Sequence, residues 1–155
     1  MIARVSGIYD EPELYQLACA YRDVPAEVSA LLSWCATHWR GAGDDGAPAG
    51  GGDARAVRTV LELAAGPAEH ARELTRRGLQ ATALDRSAPM CAFAAAQAAA
   101  AGLELEVVEG DMRDFSIPAR FDVAITMLNS LCHLFTLDDL VAHLTAVALP
   151  GRRRR

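Results

Sequence analysis

Apolar and polar positions along the chain fall into two regimes, separated by a stretch with no pattern at all. Residues 7–23, GIYDEPELYQLACAYRD, surround Pro12 with acidic residues, which suits the start of a short helix. Residues 25–40, PAEVSALLSWCATHWR, bring Val28, Leu31, Leu32, Cys35 and Trp39 round at helical spacing and predict a second, amphipathic helix. Residues 41–54, GAGDDGAPAGGGDA, then lose all periodicity and read as a flexible linker. Beyond it, short apolar runs alternate with helical ones. The predicted strands are TVLEL (59–63), ATALD (81–85), LEVVEG (105–110) and FDVAIT (121–126). The predicted helices are AEHARELTRRG (68–78), closed by Gly78, APMCAFAAAQAAAAG (88–102), closed by Gly102, and LDDLVAHLTAVAL (137–149), ended by Pro150 and Gly151. This alternation predicts an α/β fold with a mostly parallel sheet and helices on both faces.

Composition narrows the classes. A chain of 155 residues, 52% hydrophobic and 23% charged, fits one globular domain with a real core. No apolar run is long enough to cross a bilayer and MIARVSGIYDEPE lacks a signal peptide's apolar run, so a cytoplasmic protein without membrane contact is expected. Cys19, Cys35, Cys91 and Cys132 lie far apart in apolar text with no CxxC pair, the pattern of reduced core thiols rather than of disulfides or a metal site. The net charge of −5 sets an acidic body against four terminal arginines, a poor match to nucleic acid. All 15 basic residues are arginine, which we read as compositional bias.

In a doubly wound sheet, ligands sit outside the carboxyl ends of the strands. Three carboxylates fall near such ends: Glu62, Asp85 and Asp111. Asp85 can also be read as a cap of the next helix, and Asp111 as closing a turn. Glu62 lies inside an apolar strand, where an acid is costly unless it is paired or faces a polar site. The bend that follows, Ala64-Ala65-Gly66, lets backbone approach a ligand, and the helix beginning near Ala68 aims its free amides at the same place. A dinucleotide or a phosphate-free adenosine both suit that geometry, and an acid ending the second strand can hold ribose hydroxyls of either.

In order along the chain, VLELAAGPAEHA, ALDRS, VEGDMRDF and FDVAITMLNSLCHL, then a helix and ALPG, resemble the motif series of the class I S-adenosylmethionine-dependent methyltransferases. IYDEPELYQLACAYRDVPAEV resembles the amino-terminal cap of many small-molecule members. The resemblance implies S-adenosyl-L-methionine as cofactor and a Rossmann-like sheet in the order 3-2-1-4. It implies a helical cap over 1–40 and a cofactor-binding domain over 56–151; the composition adds a linker over 41–55 and an arginine tail over 152–155, the latter a departure from the family. It assigns the methionine part of the cofactor to Glu62, close backbone approach to Ala64 and Gly66, the ribose to Asp85, and the adenine to Asp111 with Met112. Tyr15 of the cap joins the cofactor-binding set, in a segment that can fold over the cofactor or pack as core.

A cationic sulfonium is attracted by a pocket edged with carboxylates, which would repel a pyrophosphate. The turn also has one glycine where a dinucleotide site needs GxGxxG, and Glu69 puts a negative charge where a phosphate would sit. An NAD-dependent oxidoreductase is thus the weaker enzyme reading. The family pattern has glycine at the positions of Ala68 and often Ala64, and the Ala68 methyl is expected close to the cofactor, lowering affinity. The family also continues past ALPG into further strands, so the chain is expected to be truncated, with an exposed sheet edge through which it self-associates. Methyl transfer to an unidentified small molecule requires mainly that the acceptor be positioned. On the acceptor side stand Asn129, Ser130 and His133 after the fourth strand, with Tyr9 and Tyr15 from the cap; Asn129 and His133 are the catalytic candidates, His133 as base or orienting group. His38, His70 and His143 lie on predicted helices and read as structural or solvated. A non-catalytic remnant or interaction module that keeps the fold is the rival from another class.

Overall fold

A computed structural model describes residues 7–38 and 56–148; the expected linker and arginine tail lie outside them, as does Trp39. Helices α1 (Pro12–Ala18) and α2 (Val24–His38) precede a four-stranded sheet. Its strands are β1 (Thr59–Leu63), β2 (Gln80–Asp85), β3 (Glu106–Glu109) and β4 (Val123–Thr126). Helices α3 (Glu69–Arg76), α4 (Ala88–Ala100) and α5 (Leu137–Ala148) follow β1, β2 and β4, and short 3-10 turns occupy Ile8–Asp10 and Ser130–His133. The strands run in the order β3-β2-β1-β4 and every pairing is parallel. The fold class and the 3-2-1-4 order are those expected.

Period-2 alternation divides the core into two layers. Val60 of β1, Ala81 and Ala83 of β2 and Ile125 of β4 face one layer, with Val28 of α2, Ala71 and Leu74 of α3, and Ala94 of α4. Leu61, Leu63 and Leu84 point the other way, onto Met112, Phe115 and Ile117, with Ala146 and Val147 of α5 against them. Burying Leu61, Leu63, Leu74 and Leu84 stabilises the sheet by roughly 1.5–3 kcal/mol each. Glu62 shares the face of Val60, so parity directs its side chain toward α3 and α2.

Two strands are shorter than their apolar text. Asp122, expected inside the fourth strand, clips the start of β1 instead: its Oδ2 accepts from the amides of Arg58 at 2.8 Å and Thr59 at 3.0 Å. The third strand ends at Glu109 because Gly110 turns in, its amide donating to the Asp85 carbonyl at 2.9 Å. A β-carbon at Gly110 would lie 3.3 Å from Leu84 Cδ1, a tight contact that the Leu84 side chain would have to shift slightly to admit.

Candidate functional site

The carboxyl ends of the strands open into one pocket, holding about 780 Å³ of empty space, part of it open to solvent. Ala64 and Gly66 form the wall after β1, Asp85 and Ser87 the wall after β2, and Gly110, Asp111 and Met112 the wall after β3. Tyr9 and Tyr15 close it from the cap side, and Ser130 and His133 from the loop after β4.

The turn after β1 holds three residues at positive φ: Ala64 at 51°, Gly66 at 53° and Ala68 at 53°. Asp85 fixes its shape. Asp85 Oδ2 accepts from the Gly66 amide at 2.7 Å, and Oδ1 accepts from the Ser87 amide at 2.8 Å. Each oxygen keeps a second lone pair, so the carboxylate is oriented by backbone yet can still receive hydroxyl protons. A β-carbon on Gly66 would meet Tyr15 Cε1 at 3.7 Å, so glycine keeps this stretch of backbone open toward the cap. The hydroxyl of Ser87 donates to the Tyr9 carbonyl at 2.9 Å and ties the cap to the start of α4.

Where the cap meets the loop after β4, Tyr9 Oη lies 3.1 Å from His133 Nε2. The Tyr9 ring is edge-on to His133 at 5.5 Å and tilted against Tyr15 at 5.7 Å. Burial, then Cys19 and Tyr9 nearby, pushes the Tyr15 phenol up to about 12, so it remains a neutral donor. Leu128 and Asn129, at φ of 51° and 55°, form the bend that carries His133 to the pocket. Non-glycine residues at positive φ are confined to this loop and the turn after β1, among the described residues, so both strained bends flank one cavity.

Not every expected residue faces this pocket. Glu62 borders a narrower adjoining cleft, with its side chain 3% exposed. Its Oε2 accepts from the Ala71 amide at 2.8 Å and its Oε1 lies 3.1 Å from His70 Nδ1. The partner that a buried acid requires is therefore the helix start and a histidine. Asn129 is absent from the pocket wall; its carbonyl accepts from the Cys132 amide at 2.8 Å and builds the turn. The Ala68 methyl, expected near the cofactor, is packed in the core at the foot of α3 and touches neither cavity. Its departure from glycine acts through backbone conformation.

Asp111 is held by Arg113: Oδ1 accepts from its amide at 2.8 Å and its Nε at 3.0 Å, and Oδ2 from Nη2 at 2.6 Å. That guanidinium bonding keeps the Asp111 carboxyl below its ordinary range. Arg113 also reaches Asp139 of α5 at 2.8 Å. Arg86 and Arg113 both border the pocket, so its rim is mixed in charge rather than purely acidic. Neither arginine was legible as a site residue, because charged residues after a strand carry no periodic signal.

The cleft beside Glu62 holds a second arrangement missed in the sequence. His70 Nε2 lies 2.9 Å from Glu27 Oε2 of α2 and 3.1 Å from Arg22 Nη2, and Arg22 pairs with Glu27. His143 is also buried, its Nδ1 3.0 Å from the Met112 carbonyl, which braces the loop behind the pocket.

Comparison with known proteins connects this geometry to a family. Residues 60–151, more than half of the chain, match the family described as Methyltransferase domain. Among curated proteins no relative matches significantly. The fold is similar to DesVI of Streptomyces venezuelae, with a TM-score of 0.70 and 20% identity over 96% of this chain and 55% of that one. It is similar to CalS10 of Micromonospora echinaspora, an amino pentose methyltransferase solved with S-adenosylmethionine bound, with a TM-score of 0.69 and 17% identity over 90% of this chain and 52% of that one. KedS8, a sugar N-methyltransferase of a Streptoalloteichus species, matches with a TM-score of 0.54 and 26% identity over 59% of this chain and 36% of that one. The chain spans about half the length of the first two of these structures, and less of the third. Its matched residues, with the strand order that arranges them around the pocket, show that the chain belongs to the Methyltransferase domain family.

Proposed function

We propose that the pocket binds S-adenosyl-L-methionine and that the chain takes part in methyl transfer to a small molecule. The observation that carries this reading is Asp85: a carboxylate at the end of β2, held by the Gly66 and Ser87 amides, with acceptor capacity left on the pocket side. Asp85 would hold the ribose hydroxyls, Ala64 and Gly66 would offer close backbone, and Met112 would give the adenine an apolar wall beside Asp111. Tyr15 would close over the cofactor from the cap. Glu62 would act from the adjoining cleft, on the methionine end. The Ala71 amide at the start of α3 is already taken by Glu62, which leaves that donor unavailable to a phosphate and supports a phosphate-free ligand over a dinucleotide.

When bound, the cofactor supplies an electrophilic methyl group on a sulfonium. The chain's own part is to bring the acceptor in line and exclude water. Tyr9, Ser130 and His133 border the end of the pocket where an acceptor would enter, and the Tyr9–His133 contact orients the imidazole. His133 is placed to take the proton that the acceptor releases. Asn129 serves by shaping the bend that presents it. A small acceptor is supported by the sugar methyltransferases among the similar structures. The free thiols of Cys19, Cys35, Cys91 and Cys132 support a reducing, cytoplasmic setting; among the described residues no helix is long and apolar enough to cross a membrane.

Isothermal calorimetry with S-adenosylhomocysteine tests the site. The folded chain is expected to bind it, and Asp85→Ala to weaken binding at least about tenfold through the lost charge-assisted hydrogen bonds. A folded chain that does not bind, or binding indifferent to Asp85→Ala, overturns the assignment. Binding without methyl transfer to any amino sugar would favour the non-catalytic module. Self-association through the β4 edge belongs to the same reading, supported by the exposed apolar residues Phe135, Leu137, Val141 and Leu144 that follow it.

A further inference from the structure

The partly buried cluster beside the pocket joins parts of the chain that are far apart in sequence. Glu62 comes from β1, His70 from α3, Glu27 from α2 and Arg22 from the link between α1 and α2. One carboxylate faces each ring nitrogen of His70, at 3.1 Å from Glu62 and 2.9 Å from Glu27. Ionised carboxylates only accept, so both of these contacts are hydrogen bonds only when both ring nitrogens carry protons. Arg22 Nη2, 3.1 Å from His70 Nε2, can only donate, and its contact with the ring is a hydrogen bond only when Nε2 is bare, so the balance of charge in the cluster decides between the two. With His70 charged, the cluster holds two cations and two anions. Without that proton, one excess negative charge remains, shared between Glu62, whose side chain is 3% exposed, and Glu27, whose side chain is 32% exposed.

We propose that protonated His70 is a positioning residue that fastens cap helix α2 to β1 at the edge of the pocket, so that loss of its proton loosens the cap. The proposal rests on the cofactor reading above only for its effect on ligand affinity. Other charges facing the cluster are Glu69 and Arg72 on α3 itself, Glu69 being bonded by Gln16 Nε2 of α1 at 2.8 Å. From α1 the cleft also receives Tyr15, which stays neutral, and the loop after β4 adds only Met127, Leu128 and Ser130. Burial works against a charged His70, but the hydrogen bond and charge of Glu62 and the hydrogen bond of Glu27 outweigh it and the repulsion of Arg22. The imidazole is held above its ordinary value of 6.5. A raised folded-state value fixes the sign: the fastening is complete below 6.5 and is lost as pH rises through the folded value.

The experiment uses the full chain, first without ligand. Ring nitrogen NMR follows His70 from about pH 5 to about pH 9, beside hydrogen exchange corrected for its intrinsic pH dependence. Both ring nitrogens are expected to be protonated below pH 6.5. Protection of the α2 amides is expected to fall on the order of tenfold as His70 titrates, while β1 stays protected. Glu27→Gln keeps the His70–Glu62 pair and is expected to abolish the step, leaving α2 as open as in the wild type at high pH. His70→Gln is expected to do the same if it folds. A neutral His70 at pH 6.5, α2 exchange flat through the titration, or a step that survives Glu27→Gln overturns the proposal.

Affinity for S-adenosylhomocysteine separates the two readings. It is expected to follow the same step in the wild type and not in Glu27→Gln. If the α2 step is present but the compound binds at no pH, the cofactor reading fails and the fastening stands. If binding is present and flat with pH while α2 opens, the cap does not bear on the pocket and the proposed coupling fails.

Discussion

At Gly66 the backbone takes a left-handed φ of 53° while its amide donates to Asp85, so two demands meet in one residue. Gly66→Ala keeps the amide, and the added methyl finds ordinary contact with Tyr15 at 3.7 Å, so no clash enters. The expected loss is conformational, about 1–2 kcal/mol, read as a lower denaturant midpoint with an unchanged m-value; an unchanged midpoint would show that the turn is not held as described. Ala64 and Ala68 already bear the same conformation without glycine's freedom. Glu62 carries the other lesson at this scale. Its burial in the sequence signalled a partner, but a carboxylate in apolar text looks the same whether that partner is a ligand or a histidine eight residues on.

Among the elements, α4 shows how composition becomes geometry. Met90, Ala94 and Ala98 recur every fourth residue and form its buried face, where small side chains let the helix lie close to β2 and β3. Ala94 is fully buried, so Ala94→Leu forces extra volume into a filled layer and is expected to cost about 1–3 kcal/mol of stability. Ala95→Leu, on the exposed side of the same helix, is expected to change it by less than about 0.5 kcal/mol. Thermal unfolding of the pair tests the packing, and equal effects would contradict the assigned face. Helix α5 is attached differently, by Ala146 and Val147 below and by the Arg113–Asp139 pair above. The pattern of 137–149 announced a helix, but not that its charged end would brace the Asp111 wall of the pocket.

For the whole molecule, the sheet's order leaves β3 and β4 at the edges among the described residues. An unpaired strand edge beside apolar side chains such as Phe135, 82% exposed, is a template for pairing. If the chain associates there, sedimentation velocity should show a concentration-dependent dimer, and Ala124→Lys, at an exposed position of β4, should reduce it. A wild type that stays monomeric as concentration rises would exclude the edge as an interface. The cap is joined to the sheet by polar contacts at several points, including Ser87 to Tyr9, Gln16 to Glu69 and Glu27 to His70. Its position over the pocket is thereby expected to respond to pH and charge more than the sheet beneath it.

The sequence alone determined where the strands and helices after residue 56 lie, a mostly parallel sheet and the acid ending β2, because apolar periodicity and strand-terminal residues are local signals, and the resemblance of its motifs supplied the strand order. Its ordered motifs carried the family as well. Tertiary structure decided where each side chain spends its bonds. Strand parity turned Glu62 toward α3, a left-handed bend put Ala68 in the core and Asn129 off the pocket wall, and Arg113 engaged Asp111. Those outcomes depend on contacts between residues distant along the chain, such as Arg22 and Glu27 with His70, and no local pattern encodes such a meeting.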